Sequence, residues 1–377
     1  MHLIDVTMFF SPRSGGVKRY LLSKREWLAR NAPSVRHSLL VPAPQRAASG
    51  VYVCSGASLE LTDGYQLPLD LFRWQNTLAS LQPDLIEAAD PYIPGWAARR
   101  CAAQLHIPCV AFYHSHMPSM LAERVGAWIG PIARGYLRQL YRGFDLVVAP
   151  SRIMRDHLDG AGIRNVTVQA LGVDLSTFNP AAGDAKLRAR LNVDRRTRLL
   201  VYAGRFSKEK RLEVLIAAAE RLGDPYHLVL IGGRRRQRIA PRVTMLPYQR
   251  STERLARMLA SCDVFVHAGE QETYGLVAAE AMGCGLPVVG VAHGAIPELV
   301  DESVGMLAAN SDAASMAAAI HSLFDRDIGS LQLAARERAV TRHSWDAVFR
   351  SMLNHYTHMV SPALVVPPRL ALPQLTR

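Results

Sequence analysis

The chain has 377 residues, too many for one compact core and enough for two domains. Hydrophobic residues make up 49% and charged residues 20%, an ordinary globular balance that excludes a disordered chain. With 44 Lys and Arg against 32 Asp and Glu, the formal charge of +12 favours an anionic partner: a nucleotide, a phospholipid surface or a nucleic acid. The five cysteines, Cys54, Cys101, Cys109, Cys262 and Cys284, are scattered, with no CxxC pair and no Cys/His cluster at metal-ligand spacing. Structural zinc is therefore not expected, and free thiols in a reducing cytosol are. No apolar stretch reaches the roughly 18 residues of a membrane span, and the N-terminus opens on a strand-like run rather than a signal peptide. The expected location is the cytoplasm, or the inner face of the plasma membrane as a peripheral protein.

In the first half, short apolar runs at 3–9, 38–41, 85–88, 109–113 and 146–149 read as strands. Longer amphipathic stretches between them give the pattern of βαβ units and a parallel sheet. Gly15 and Gly16 join the first run to a helix beginning near Val17. A glycine pair there lets backbone approach a phosphate or sugar, or simply makes a tight turn; it is not a GxGxxG fingerprint. The run at 109–113 leads into His114-Ser-His116. A histidine at a strand's carboxyl end is placed for function, although loop histidines are common. Residues 124–144 read as one amphipathic helix, with Trp128, Ile132, Leu137, Leu140 and Tyr141 in a stripe and Arg134, Arg138 and Arg142 four residues apart. Such a helix, with Tyr136 as a second flanking aromatic, suits an anionic membrane surface; it also suits an ordinary core helix with solvated arginines.

The first domain is expected to span 1–172, with its boundary in the Leu-Gly-Val-Asp run of 171–174, and the second to span 173–345. Strand runs of the second lie at 199–203, 227–231, 243–245, 264–267 and 287–290, with helical patterns at 212–221, 252–261 and 274–282. Arg205 and Lys210 follow the first of these runs, at the end where doubly wound sheets bind ligands. A planar fork and a point charge suit a diphosphate, and a solvated basic loop is the other reading. Arg234-Arg-Arg-Gln-Arg238 prompts a nucleic-acid reading, but no binding module accompanies it. The sharpest motif is Glu272-Thr-Tyr-Gly-Leu-Val-Ala-Ala-Glu280, two glutamates separated by seven residues. A helix starting between them sets Glu280 about two turns in. The amides of Thr273, Tyr274, Gly275 and Leu276 then become the unpaired N–H groups of a helix start, an anion-binding device. Either glutamate alone is equally a cap or a surface residue. A last helix at 345–358, extended to 346–360 as a separate element, precedes a Pro-rich tail at 361–377 that is expected to be disordered.

Several of these features come together in one family. Gly15 and Gly16, His114, Gly172-Val-Asp174 with Phe178, Gly204-Arg205 with Lys210, Gly232, and the Glu272/Glu280 pair with Gly275 together resemble glycosyltransferase family 4 over about residues 1–350. Gly294-Ala-Ile-Pro-Glu298 is similar to that family's following turn. The resemblance implies an α/β fold of two doubly wound Rossmann-like domains facing a cleft (GT-B). The implied activity is retaining transfer of a hexose from a nucleotide-diphosphate sugar, GDP-mannose or a UDP-sugar, to a membrane lipid or glycan acceptor. Retention would proceed by front-face attack through a short-lived ion pair. In that comparison Arg205 and Lys210 hold the donor diphosphate, Glu280 binds the ribose, and Glu272 with the amides of Thr273, Tyr274, Gly275 and Leu276 grips the sugar. His114 touches the sugar beside the reacting carbon, and Gly15 and Gly16 approach the diphosphate from the other domain. Fixed cations stabilising the leaving group imply that neither a metal nor another cofactor is required.

The stretches 112–118 and 266–275 are most similar to bacterial mannosyl- and sulfoquinovosyl-transferases acting on lipids, whereas the arginines at 234–238 depart from the acidic or small residue frequent there. A nucleotide-sugar epimerase and a sugar phosphorylase on the same fold are the rival readings, with a basic nucleic-acid-binding protein behind them. The expected partners are a nucleotide sugar, a lipid or glycan acceptor and an anionic membrane surface, not a nucleic acid.

Overall fold

The computed structural model describes residues 1–11, 15–42, 49–61, 64–114 and 116–361, with the side chains of 123 and 124 left aside. All but the first residue of the tail expected at 361–377 lies outside them. In the first half, β1 (His2–Val6) leads to α1 (Gly16–Asn31), then β2 (Arg36–Pro42), β3 (Val51–Cys54) and a small hairpin of β4 (Ser58–Glu60) and β5 (Gln66–Pro68). After α2 (Leu71–Ser80) come β6 (Leu85–Ala88), α3 (Ile93–Leu105), β7 (Cys109–Phe112), α4 (Met117–Val125), α5 (Ile129–Tyr141), β8 (Leu146–Ala149), α6 (Arg152–Gly160) and β9 (Val166–Val168). Seven of these strands form one parallel sheet in the order β3-β2-β1-β6-β7-β8-β9. Its central strands are covered by helices on both faces, which is why β1, β6 and β7 are buried at every residue.

The second half repeats the plan. It runs α7 (Leu187–Leu191), β10 (Arg198–Ala203), α8 (Leu212–Leu222), β11 (Tyr226–Gly233), β12 (Gln237–Ala240), β13 (Val243–Pro247), α9 (Thr252–Leu259), β14 (Val264–His267) and α10 (Leu276–Gly283). Then follow β15 (Val288–Val291), α11 (Ile296–Leu299), β16 (Gly305–Ala308), α12 (Ala313–Phe324), α13 (Ile328–Arg342) and α14 (Trp345–Val360). The sheet order is β12-β13-β11-β10-β14-β15-β16, with only β12 antiparallel. In each sheet the chain winds outward from its first strand, returns, and winds the other way. The switch points fall between β1 and β6 and between β10 and β14, where such sheets open a crevice at the strands' carboxyl ends. This is the doubly wound pair that the resemblance implies.

The link between the halves is made where Val173 bridges to Ser344 and its amide donates to the His343 carbonyl at 2.6 Å. From there α14 returns to the first sheet and packs on α1. Trp345 stacks on Phe349 at 4.7 Å, Trp27 Nε1 donates to Asp346 Oδ1 at 2.9 Å, and Tyr356 hydrogen-bonds Glu87. Beneath that contact Lys24 is fully buried between two carboxylates, with Nζ at 2.8 Å from Asp5 Oδ1 and 3.0 Å from Glu87 Oε1. A buried charge is tolerable only when paired in this way.

Three expectations need correcting. The first strand ends at Val6 rather than Phe9, and Phe9 beyond it lines the cleft. The helix expected over 124–144 is two helices, because Gly126 adopts φ +119° and ends α4 before α5 begins. The stripe expected along it also divides: Leu137, Leu140 and Tyr141 are core, while Trp128 and Ile132 are about 60% exposed at 63% and 60%. Tyr136 turns inward, donating to the Pro91 carbonyl at 2.6 Å and accepting from Trp96 Nε1 at 3.0 Å. Among the described residues no helix is long and apolar enough to cross a membrane.

Candidate active site

The carboxyl ends of both sheets face one cleft of about 320 Å³. From the first sheet come Gly15 and Gly16 at the start of α1, and His114 just after β7. From the second come Gly204 and Arg205 after β10, Lys210 in the following turn, and the segment from Glu272 to Ala278 after β14. An apolar strand ending in a polar loop explains each placement: the strand is held in the sheet core, and the first residues past it are the first free to meet a ligand.

Glu272 is the electrostatic centre. Its Oε2 receives Lys210 Nζ at 2.6 Å and lies 3.1 Å from His267 Nε2. Burial alone would raise this carboxyl, but Lys210 and His267 outweigh it and hold it below the usual carboxylate range. The anion is therefore fixed in place with one oxygen fully engaged. Beside it Gly275, at φ +94°, caps α10, so the first amides of that helix have no intrahelical partner and line the cleft. Arg205 is exposed at the rim. Together these groups make an anion seat with a fixed carboxylate at its edge.

His114 faces this seat from the first sheet. Its ring stacks on Phe112 at 4.1 Å and tilts against Tyr20 at 5.0 Å, and its carbonyl accepts the Thr273 hydroxyl at 3.2 Å. Burial, with Lys24 nearby, pulls its pKa down to about 3, so the ring is neutral at physiological pH. Its Nε2 is shielded and has no partner among the described residues. A neutral imidazole so held can hydrogen-bond a ligand without bringing charge.

Glu280 sits in α10 and is 1% exposed. One oxygen pairs with Arg19 of α1, across the cleft, and the other has no partner among the described residues. The carboxylate expected to bind a ribose is thus bridged to the other domain by a residue that the reading of Gly15-Gly16 passed over. His267 was passed over too, although it ends β14 much as His114 lies just past β7. Tyr274 contributes its backbone to the cleft, since its hydroxyl donates to the Leu171 carbonyl at 2.6 Å and lies 2.9 Å from His343 Nδ1. The arginines at 234–238 are exposed on the β11–β12 turn and in β12 itself. No group of three His, Cys, Asp or Glu among the described residues could hold a metal ion.

Residues 14–177 match the profile described as Glycosyltransferase Family 4, and residues 197–326 match the one described as Glycosyl transferases group 1. The chain is 30% identical over 364 residues to a GDP-mannose-dependent alpha-mannosyltransferase of Mycobacterium tuberculosis, covering 92% of this chain and 94% of that protein. It is 29% identical over 290 residues to a sulfoquinovosyl transferase of Arabidopsis thaliana, covering 74% of this chain and 57% of that protein. In fold it is similar to a sucrose-phosphate synthase from Thermosynechococcus elongatus, with a TM-score of 0.77, 21% identity, and 96% and 100% of the two chains covered.

Proposed function

Because the chain belongs to glycosyltransferase family 4 and transfers a hexose from a nucleotide-diphosphate sugar to a lipid or glycan acceptor, we propose that its donor is GDP-mannose and its acceptor a membrane lipid. Enzymes of this fold typically take the nucleotide sugar directly, without a metal. The observation that carries the site assignment is the meeting of the two sheets' carboxyl ends. His114 and Gly16 of one face Glu272, Lys210 and the α10 amides of the other across a single cleft.

In this reading Arg205, Lys210 and the amides at Gly275 and Leu276 hold the diphosphate and stabilise the charge that builds on it as the sugar departs. Glu272 orients the sugar hydroxyls, and its low proton affinity keeps it an acceptor. Neutral His114 hydrogen-bonds the sugar near its anomeric carbon. Glu280 exchanges Arg19 for the ribose hydroxyls. The acceptor hydroxyl attacks from the face the diphosphate leaves, so the anomeric configuration is retained and no side chain need form a covalent bond. The choice of a lipid acceptor at the inner face of the plasma membrane is supported by exposed Trp128 and Ile132 beside the solvated Arg134, Arg138 and Arg142.

A thermal-shift screen of GDP-mannose, UDP-glucose and ADP-glucose tests the donor. At a hundred times its dissociation constant the true donor stabilises the fold by about 2.7 kcal/mol. GDP-mannose is expected to shift the melting temperature most, and to be turned over in the presence of excess EDTA. A larger shift with a UDP-sugar would overturn the donor assignment, and activity restored only by magnesium or manganese would overturn the metal-free mechanism.

A further inference from the structure

The turn that follows the donor loop carries a carboxylate that the reaction does not use. Glu298 of α11 reaches out of the second domain to the start of α6 in the first. Its Oε2 accepts the Arg152 amide at 2.8 Å and its Oε1 accepts the Ile153 amide at 2.9 Å. Ser151, the N-cap of the same helix, accepts the Met154 amide at 3.3 Å and donates its hydroxyl to the Thr273 carbonyl at 2.8 Å. Three first-turn amides of α6 are therefore satisfied, two of them by the opposite domain. The carboxylate lies at the end of the helix where the backbone dipoles favour negative charge.

The segment bearing Glu298 is also the back wall of the donor loop. The Ala295 amide donates to the Glu272 carbonyl at 2.9 Å. Gly294, at φ +61°, approaches so closely that a Cβ there would stand 2.8 Å from the Glu270 carbonyl and 2.9 Å from that of Glu272. Ile296 and Leu299 close on Gly275 from the same side, their side chains 3.1 and 2.9 Å from where its Cβ would be. Glu298, the loop from Glu270 to Gly275 and the start of α10 are thus packed as one block. Thr273, in that block, makes two further contacts with the first domain, to Ser151 and to the His114 carbonyl.

We propose that Glu298 is a positioning residue that clasps the two domains closed. Its grip on the α6 amides holds Glu272 and Thr273 against His114, and its release lets the cleft open for nucleotide exit. Glu298 itself is exposed, so the clasp is of the modest strength that a cycle of opening and closing requires. Its effect on turnover rests on the function proposed above; its effect on the shape of the molecule does not.

The test uses the full chain with E298A and E298Q, and S151A as a second, independent cut in the same clasp. Small-angle scattering without ligand should give a larger radius of gyration for E298A than for wild type, with E298Q between them because its single amide oxygen replaces two acceptors. With GDP-mannose as donor, kcat/KM should fall about three- to tenfold in E298A, the size of a lost helix cap. The dissociation constant for GDP should stay within about twofold, since the amides and cations proposed to hold the diphosphate lie in the second domain. A residue that only stabilises α6 would lower the melting temperature and leave the scattering curve unchanged. Unchanged scattering and unchanged kcat/KM in both E298A and S151A would overturn the clasp. If the wild type turns over no donor while E298A still opens, the clasp stands and the functional reading falls.

Discussion

The proposed site gives Lys210 two tasks that compete. At 2.6 Å from Glu272 it already neutralises a carboxylate, and the proposal also has it meet the departing phosphate. Replacing Lys210 with Ala removes both effects and leaves Glu272 with His267 alone. Turnover should fall on the order of 10²-fold, as for a lost oxyanion donor, with the circular dichroism spectrum retained. Turnover within a few-fold of wild type would remove Lys210 from the diphosphate site. The residue types of this cluster are readable from the chain only in combination, because a Lys or a Glu past an apolar strand reads alone as a solvated loop or a cap. Their partners are less readable. Arg19 and Glu280 are 261 positions apart, and no local pattern relates them.

At the scale of elements, α5 is the one whose purpose the fold alone leaves open. Its buried face is made by Ala133, Leu137, Leu140 and Tyr141, so Arg134, Arg138 and Arg142 project to solvent, with Trp128 and Ile132 exposed at its start. Each arginine near an anionic surface contributes about 1 kcal/mol within a Debye length. Replacing the three with Gln should therefore weaken co-sedimentation with phosphatidylglycerol vesicles steeply, and more at low salt than at high. The W128A/I132A pair should weaken it at all salt concentrations, because the lost term is apolar. Wild-type protein that ignores such vesicles would make the arginines an ordinary solvated face. The central strands were legible because burial on both faces leaves an unbroken apolar run. The edge strands β3, β12 and β16 were not, being short and partly exposed. The split between α4 and α5 rests on one glycine, which periodicity reads through.

For the molecule as a whole, buried histidines set the acid limit. Burial, first among the causes, pulls His114 down to about 3 and His116, His227 and His343 to about 4, against 6.5 in the unfolded chain. As pH falls, the unfolded state takes up these protons first, so stability is complete above about pH 6.5 and is lost progressively toward pH 4. Glu272, held low by Lys210 and His267, acts in the same direction. Asp90, raised to about 6 by burial, and Glu87, which burial also raises, act in the opposite direction. Melting temperatures measured from pH 8 to pH 4 should be flat above about 6.5 and then decline. A melting temperature that holds down to pH 4.5 would contradict the buried, neutral state assigned to these rings.

Local chemistry was enough for the repeated strand–helix alternation, the two largely parallel sheets and the polar loops at the strands' carboxyl ends. Each of those follows from side-chain periodicity and from residue types within a few positions of one another. Tertiary structure alone decided which loops face each other. It brings the Thr273 hydroxyl to the His114 carbonyl, sets Arg19 on Glu280, and returns α14 to α1 over a lysine buried between Asp5 and Glu87. These contacts join residues a hundred or more positions apart, or sit in a core whose polarity depends on what the chain later lays over it. Their strength comes from the exclusion of water between surfaces, a property of the packed pair that neither segment carries by itself.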